Sequence, residues 1–428
     1  MNLELSLPLI WLVVFDIVSG FLLIKTHPKI SKKILPVFIA PLFITLSILW
    51  SKNALRGALT VGVLWLIVFA VINFIYLYKG TVKDTPNFLN NMVKTLFAST
   101  FFICIWCWIQ CILDINGVSQ AQSLICDGCT TKMFGFPHPN GFAIEPQFMG
   151  NLLLFPTLLA IYLLAKNNKK ISLWILAFFF SSTLFLTFSR GAIYSFAVAL
   201  IFLIAFLIAR KKSIQPLGLL LIPIFAFLFT LNFQGVFAEA SKTSETYISG
   251  ISKALNHLSL GIIDLKIPAP SEPSIDDESD NYEPSQESKE QAVFDGYIEE
   301  STTVRMDLTK SALEVWSSNP KNLLLGVGIG GAGTALYENQ KVGTPKEIVQ
   351  NQYISLLLEI GLIGTTGVLL SLFFIFRYAK NTIDIFTYTA IIAYGISLLF
   401  FAGLPNALHV YLLPAFFGKH KSIIKQKI

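Results

Sequence analysis

The chain has 428 residues, of which 54% are hydrophobic, 13% aromatic and only 14% charged. A soluble domain carries nearer a quarter charged residues, so this composition excludes an ordinary soluble globule and points to a membrane protein. The net charge of +6 falls in short clusters between apolar runs, where it reports topology, and a nucleic-acid partner is not expected.

A bilayer span needs roughly 20 mostly apolar residues. Runs of that kind lie near 6–24, 34–50, 58–78, 95–113, 144–165, 171–188, 191–209, 215–232, 353–376, 385–402 and 404–418. The expected fold is therefore all-α and polytopic, with about eleven transmembrane helices, because backbone polar groups in lipid must pair within the segment. The runs lack the alternation of an outer-membrane barrel. Glu4, rather than a basic residue, precedes the first run, so that run is expected to stay as a helix rather than leave as a signal peptide.

Lys and Arg gather at 25–33, 79–94, 166–170, 210–212, 377–380 and 419–427, while the alternate short segments hold only Lys52, Arg56, Lys132 and Arg190. By the positive-inside rule the N-terminus is outside and the C-terminus cytoplasmic, in a cytoplasmic (inner) membrane. Three regions result. The first comprises helices over 1–232, the second a large outward-facing loop over 233–349, and the third the closing helices and basic tail over 350–428.

Cys104, Cys107 and Cys111 sit in an apolar run and read as core residues. Cys126 and Cys129 frame a short outward loop, where a tight disulfide would suit an oxidising compartment. A zinc reading would need two further ligands, so no metal is expected. His138 reads as an exposed loop residue. Glu145-Pro146 has the form of a helix start, with Glu145 a candidate proton acceptor. Arg190, in Phe188-Ser189-Arg190-Gly191, stands at the outward end of a span. An arginine at that place is a functional candidate, since guanidinium clamps phosphate in bidentate geometry.

Within the loop, the acidic, proline-rich stretch 267–288 cannot bury enough apolar surface to fold and reads as a disordered insert. Residues 301–318 place Val304, Leu308, Val315 and Trp316 at helical spacing, with Asn319-Pro320 as a stop. This predicts an amphipathic helix that carries Arg305. Gly326-Val327-Gly328-Ile329-Gly330-Gly331 lacks the strand and the Gly-Lys-Ser/Thr of a nucleotide loop. It reads instead as a turn that lets the backbone approach another element. Glu359 lies inside a span, where it must pair or line a polar cavity.

In combination, Leu186-Thr187-Phe188-Ser189-Arg190-Gly191, the long loop, Arg305 with its helix, Asn319 to Gly328, and Gln350-Asn351-Gln352-Tyr353 running to Gly364 resemble the O-antigen ligase and O-antigen polymerase superfamily. The resemblance implies a metal-independent, cofactor-free, inverting glycosyltransferase for cell-surface polysaccharide. Its donor would be an undecaprenyl-diphosphate-linked glycan and its acceptor a glycan or lipid-linked sugar. Membrane lipids and other polysaccharide-assembly proteins would be its partners. Arg190 and Arg305 take the positions of the family's arginines, and Gln350, Asn351, Tyr353, Gly326 and Gly328 fall in the segments that would meet substrate. Family ligases carry His-Asn where this chain has Gln350-Asn351, which tilts the reading toward a polymerase. The alternatives are a flippase for the same lipid-linked glycan and a protein O-oligosaccharyltransferase.

Overall fold

The computed structural model describes residues 7–26, 35, 38–80, 85–116, 132–133, 136–143, 145–166, 170–211, 215–240, 246–259, 262–263, 303–379, 384–403 and 407–417. The insert expected at 267–288 and the Cys126–Cys129 pair lie outside these residues. The described chain is helical apart from one two-residue hairpin, β1 (Lys132–Met133) with β2 (Phe136–Pro137). In order, the helices are α1 (Leu7–Thr26), α2 (Ile39–Leu46), α3 (Ala54–Gly80), α4 (Thr85–Ile115), α5 (Pro146–Lys166), α6 (Ile171–Leu186), α7 (Arg190–Lys211), α8 (Leu221–Ala240) and α9 (Tyr247–Leu258). There follow α10 (303–317), α11 (Pro320–Leu325), α12 (Ala332–Glu338), α13 (Gln352–Ala379), α14 (Ile385–Ser397) and α15 (Leu408–Phe417).

Six stretches among the described residues are long and apolar enough to cross a bilayer: Ala54–Phe74, Asn87–Leu113, Pro146–Lys166, Arg190–Arg210, Pro216–Ala240 and Gln352–Ile375. Four more apolar helices are shorter. At 16 residues, α6 extends roughly 24 Å at 1.5 Å per residue, less than a hydrocarbon core of about 30 Å.

The chain forms two compact units, one of residues 1–96, 198–203 and 305–428, the other of residues 97–197 and 204–304. In the first, α1 packs on α3, and Leu12, Val63, Ile67, Ala70 and Leu408 close one core. Polar pins hold these apolar helices in register: Asn73 Nδ2 donates to Ser19 Oγ at 2.9 Å and Trp65 Nε1 to Thr45 Oγ1 at 2.9 Å. In α10, Leu308, Ala312 and Val315 are buried, the last two against Val327, Leu336 and Leu358. The predicted amphipathic helix is thus present, but Val304, in its first turn, points to the exposed side.

In the second unit α5 packs against α6, α6 against α8 and α8 against α9. Most of α5 is buried, so it is the central post. Thr230 Oγ1 donates to Ser182 O at 3.1 Å, and Trp108 Nε1 to Thr183 Oγ1 at 3.0 Å. The three cysteines of α4 are fully buried core residues, as the sequence implies.

Candidate functional site

The Arg190 turn is built by sequence-local means. Helix α6 ends at Leu186, and Thr187 Oγ1 turns back to Leu184 O at 2.7 Å. Phe188 then takes φ +47°. A bulky residue in the left-handed region costs on the order of 1–3 kcal/mol and persists only where its surroundings enforce it. Here they do. Phe188 is buried among Leu231, Ala254 and Leu258, with Ile193, Phe227 and Leu255 beside them. The reversal lets Ser189 and Arg190 open α7, and Ile193 N donates to Ser189 O at 2.9 Å. Gly150 of α5 permits the close approach, because a Cβ there would lie 2.9 Å from the Cβ atoms of both Ser189 and Ala192.

Two histidines complete the setting. The His138 ring centroid is 5.5 Å from that of Phe188 and 5.5 Å from that of His257, and His257 is 6.3 Å from Phe188. The sequence reading of His138 as an exposed loop residue is therefore corrected: it is 8% exposed. Its loop is clamped to α4, where Gln110 Nε2 donates to Asn140 Oδ1 at 3.0 Å and Gly141 N donates to Gln110 Oε1 at 2.9 Å. His257 arrives on α9, whose buried side also holds Lys253 and Asn256. The Tyr194 hydroxyl donates to Leu258 O and so ties α7 to the end of α9. Burial, then the charges of His257 and Arg190, hold His138 well below the ordinary histidine value, so its imidazole is neutral.

Buried polar atoms of this unit lack hydrogen-bond partners: Ser189 Oγ beside Arg190, Asn151 Oδ1 next along from Gly150, and, on α8 where it meets Gly250 of α9, both amide atoms of Gln234. An unmade bond at a buried polar group costs about 1–3 kcal/mol, so such groups mark a place suited to a polar guest. Glu145 is exposed, and its carbonyl accepts from Phe148 N at 3.1 Å to start α5.

The first unit contains the remaining sequence candidates. Helix α13 breaks at Gly361, with φ +62° and ψ −170°. The carbonyls of Leu358 and Glu359, freed by that break, accept from Val327 N at 2.9 Å and Gly328 N at 2.8 Å. The glycine run is thus a backbone strip laid against a broken helix, which fits its reading as a close-approach turn. Gly326, at φ +73° and ψ −174°, faces Gly361, and a Cβ on either would come within 2.4 Å of backbone oxygen on the other side. Beyond it, Ile329 N donates to Ser47 Oγ at 3.3 Å, and Ser51 Oγ donates to Ile329 O at 2.8 Å. The Glu359 carboxylate accepts from Ala332 N at 3.4 Å and feels the Arg56 charge. Glu359 is thereby answered by the glycine turn and by an arginine.

Asn351 Oδ1 caps α13, accepting from Tyr353 N at 3.1 Å and Ile354 N at 3.2 Å. Gln352 Oε1 accepts from Gly403 N at 2.7 Å, and the Tyr353 hydroxyl donates to Gly395 O at 2.7 Å. Gln350 is half-buried, and its Oε1 has no hydrogen-bond partner. Arg305 is half-buried on α10. Among the described residues no group of three His, Cys, Asp or Glu side chains gathers as a metal site.

Sequence reasoning missed His257 and the strain at Phe188. The signal for His257 was the amphipathic spacing of Tyr247–Leu258, hidden inside a stretch read as loop. Residues 175–369, a little under half of the chain, match the model of the O-antigen ligase family. That stretch holds Arg190, Arg305, Gly326, Gly328, Gln350, Asn351 and Tyr353. No curated protein matches the chain.

Proposed function

We propose, on the premise that residues 175–369 carry an O-antigen ligase-family domain, that the protein is a membrane glycosyltransferase that polymerises undecaprenyl-diphosphate-linked glycan. The match over Arg190, Arg305 and the Gln350–Tyr353 segment carries this reading. An acceptor sugar hydroxyl attacks the anomeric carbon of the donor, and the bond from that carbon to the diphosphate oxygen breaks. The electron pair leaves with the diphosphate, and the hydroxyl proton passes to a base or to solvent. Negative charge grows on the diphosphate, so fixed guanidinium groups lower the barrier most where that charge develops. Arg190 and Arg305 are the groups assigned that role, each through bidentate contact with phosphate oxygens. The unpartnered Ser189 Oγ, on the residue before Arg190, and Asn151 Oδ1 beside Gly150 support a polar guest there.

Polymerisation is favoured over ligation because Gln350 occupies the position of the ligase histidine and an amide cannot accept a proton at neutral pH. Glu145, exposed before α5, is the alternative proton acceptor. The basic clusters support an orientation in the cytoplasmic membrane with the N-terminus and the long loop outside. The test is the surface-glycan ladder of cells that carry Arg190→Ala or Arg305→Ala at normal protein levels. Loss of long chains is expected, roughly a 100-fold fall in transfer for one charge-stabilising group. An unchanged ladder would overturn the assignment. A fall that Arg190→Lys fully restores would refute bidentate geometry.

A further inference from the structure

We propose that His138 and His257 are positioning residues for Arg190: as rings packed on Phe188, they hold the left-handed turn from which α7 and its first side chain start. The inference rests on the reading of Arg190 as the group that meets diphosphate. His138 itself lies before the stretch that matches the family model.

Phe188 at φ +47° is not a conformation that a phenylalanine keeps unaided. The apolar cluster grips its ring on one side, and the two imidazoles meet it at 5.5 and 6.3 Å. The imidazoles also meet one another at 5.5 Å with planes at 84°, so each orients the other. Neither ring is placed by its own segment alone. His138 is fixed by the Gln110 clamp on its loop, and His257 by α9, whose end is tied to Tyr194 of α7. Three elements therefore converge on one backbone torsion, and the residue two positions later is Arg190. Both rings are more than nine-tenths buried, which suits groups that act through Phe188 rather than groups that touch substrate. A second cation beside Arg190 would push against it, and burial with the charges of His257 and Arg190 keeps the His138 ring neutral. Imidazole can be neutral at pH 7, whereas Lys or Arg in the same place cannot.

The test uses the full-length protein in detergent with two readouts. Hydrogen exchange over residues 187–194 reads the turn itself. Binding of undecaprenyl diphosphate reads the placement of Arg190. His138→Ala and His257→Ala are expected to speed exchange and weaken binding about tenfold each. His138→Gln and His257→Gln, similar in volume and neutral, are expected to stay within about threefold of the parent. Adding His257→Ala to Arg190→Ala should weaken binding no further, as expected for a residue acting through another.

Alanine variants that exchange and bind like the parent would overturn the proposal. Glutamine variants as weak as the alanine variants would also overturn it, because the imidazoles would then have a chemical role. Should an alanine variant fail gel filtration, the glutamine pair and the double variant still decide. If Arg190→Ala binds the lipid as tightly as the parent, the functional reading of Arg190 fails, and the exchange result alone judges the positioning claim.

Discussion

Replacing Gly361 by alanine should be among the most damaging single-methyl changes in the first unit. Gly361 sits at φ +62° and ψ −170°, a region populated essentially by glycine, where another residue costs on the order of 1–3 kcal/mol. The new Cβ would also lie 2.4 Å from Leu324 O and 2.6 Å from Gly326 N. Both are backbone atoms, so no side chain can swing away, and overpacking adds about 1–3 kcal/mol. The expected loss is therefore roughly 2–6 kcal/mol. The control is Gly343→Ala, where a Cβ meets nothing within 4 Å and the change should stay within about 0.5 kcal/mol. Thermal unfolding in detergent, followed by tryptophan fluorescence, should show Gly361→Ala melting several degrees lower than the control, at about 2–4 °C per kcal/mol. Equal melting temperatures for the two variants would refute the account of the break. Because Gly326 and Gly361 press on each other, adding Gly326→Ala to Gly361→Ala should cost less than the sum of the two single changes.

Other expectations are as direct. His138 is held well below its ordinary value by burial and by His257 and Arg190. Below about pH 6.5 the unfolded chain therefore takes up a proton that the folded chain refuses, and stability falls as pH drops, by up to about 1.4 kcal/mol per pH unit. Melting curves at pH 7.5 and 5.5 should show this slope, and His138→Gln should flatten it. Asn351→Ala removes the cap of α13 and should cost about 1 kcal/mol, while Asn351→Asp, which keeps an acceptor oxygen there, should melt near the parent. Tyr194→Phe deletes the hydroxyl tie to Leu258 O and should cost about 1 kcal/mol, again read from the melting temperature.

The helical fold and the place of Arg190 were legible because apolar run length and an arginine at a span edge are local signals. The break in α13 was only half legible. The glycine run announced a close approach, but its partner, the carbonyls of Leu358 and Glu359, lies about thirty residues on. Glu359 inside a span had to pair or line a polar cavity, and the pairing is what forms, with Ala332 N donating to its carboxylate and the Arg56 charge nearby. The histidine pair could not be read at all. His138 and His257 are far apart in sequence, one in a loop and one on a short helix. Only the clamp by Gln110 and the packing of α9 on α8 bring their rings together. Asn351 has a local role that its motif did not announce: its side-chain oxygen caps α13.

The strip from Gly326 to Gly331 has a bearing on how the chain is made. Its amides at 327 and 328 find their acceptors on a helix synthesised later, so this part of the chain cannot settle when it first leaves the ribosome. It must wait until α13 has been threaded and broken at Gly361. A nascent protein stopped before residue 358 would present these two amides with no intended acceptor. Biogenesis of the matched domain is in that sense completed from its C-terminal end.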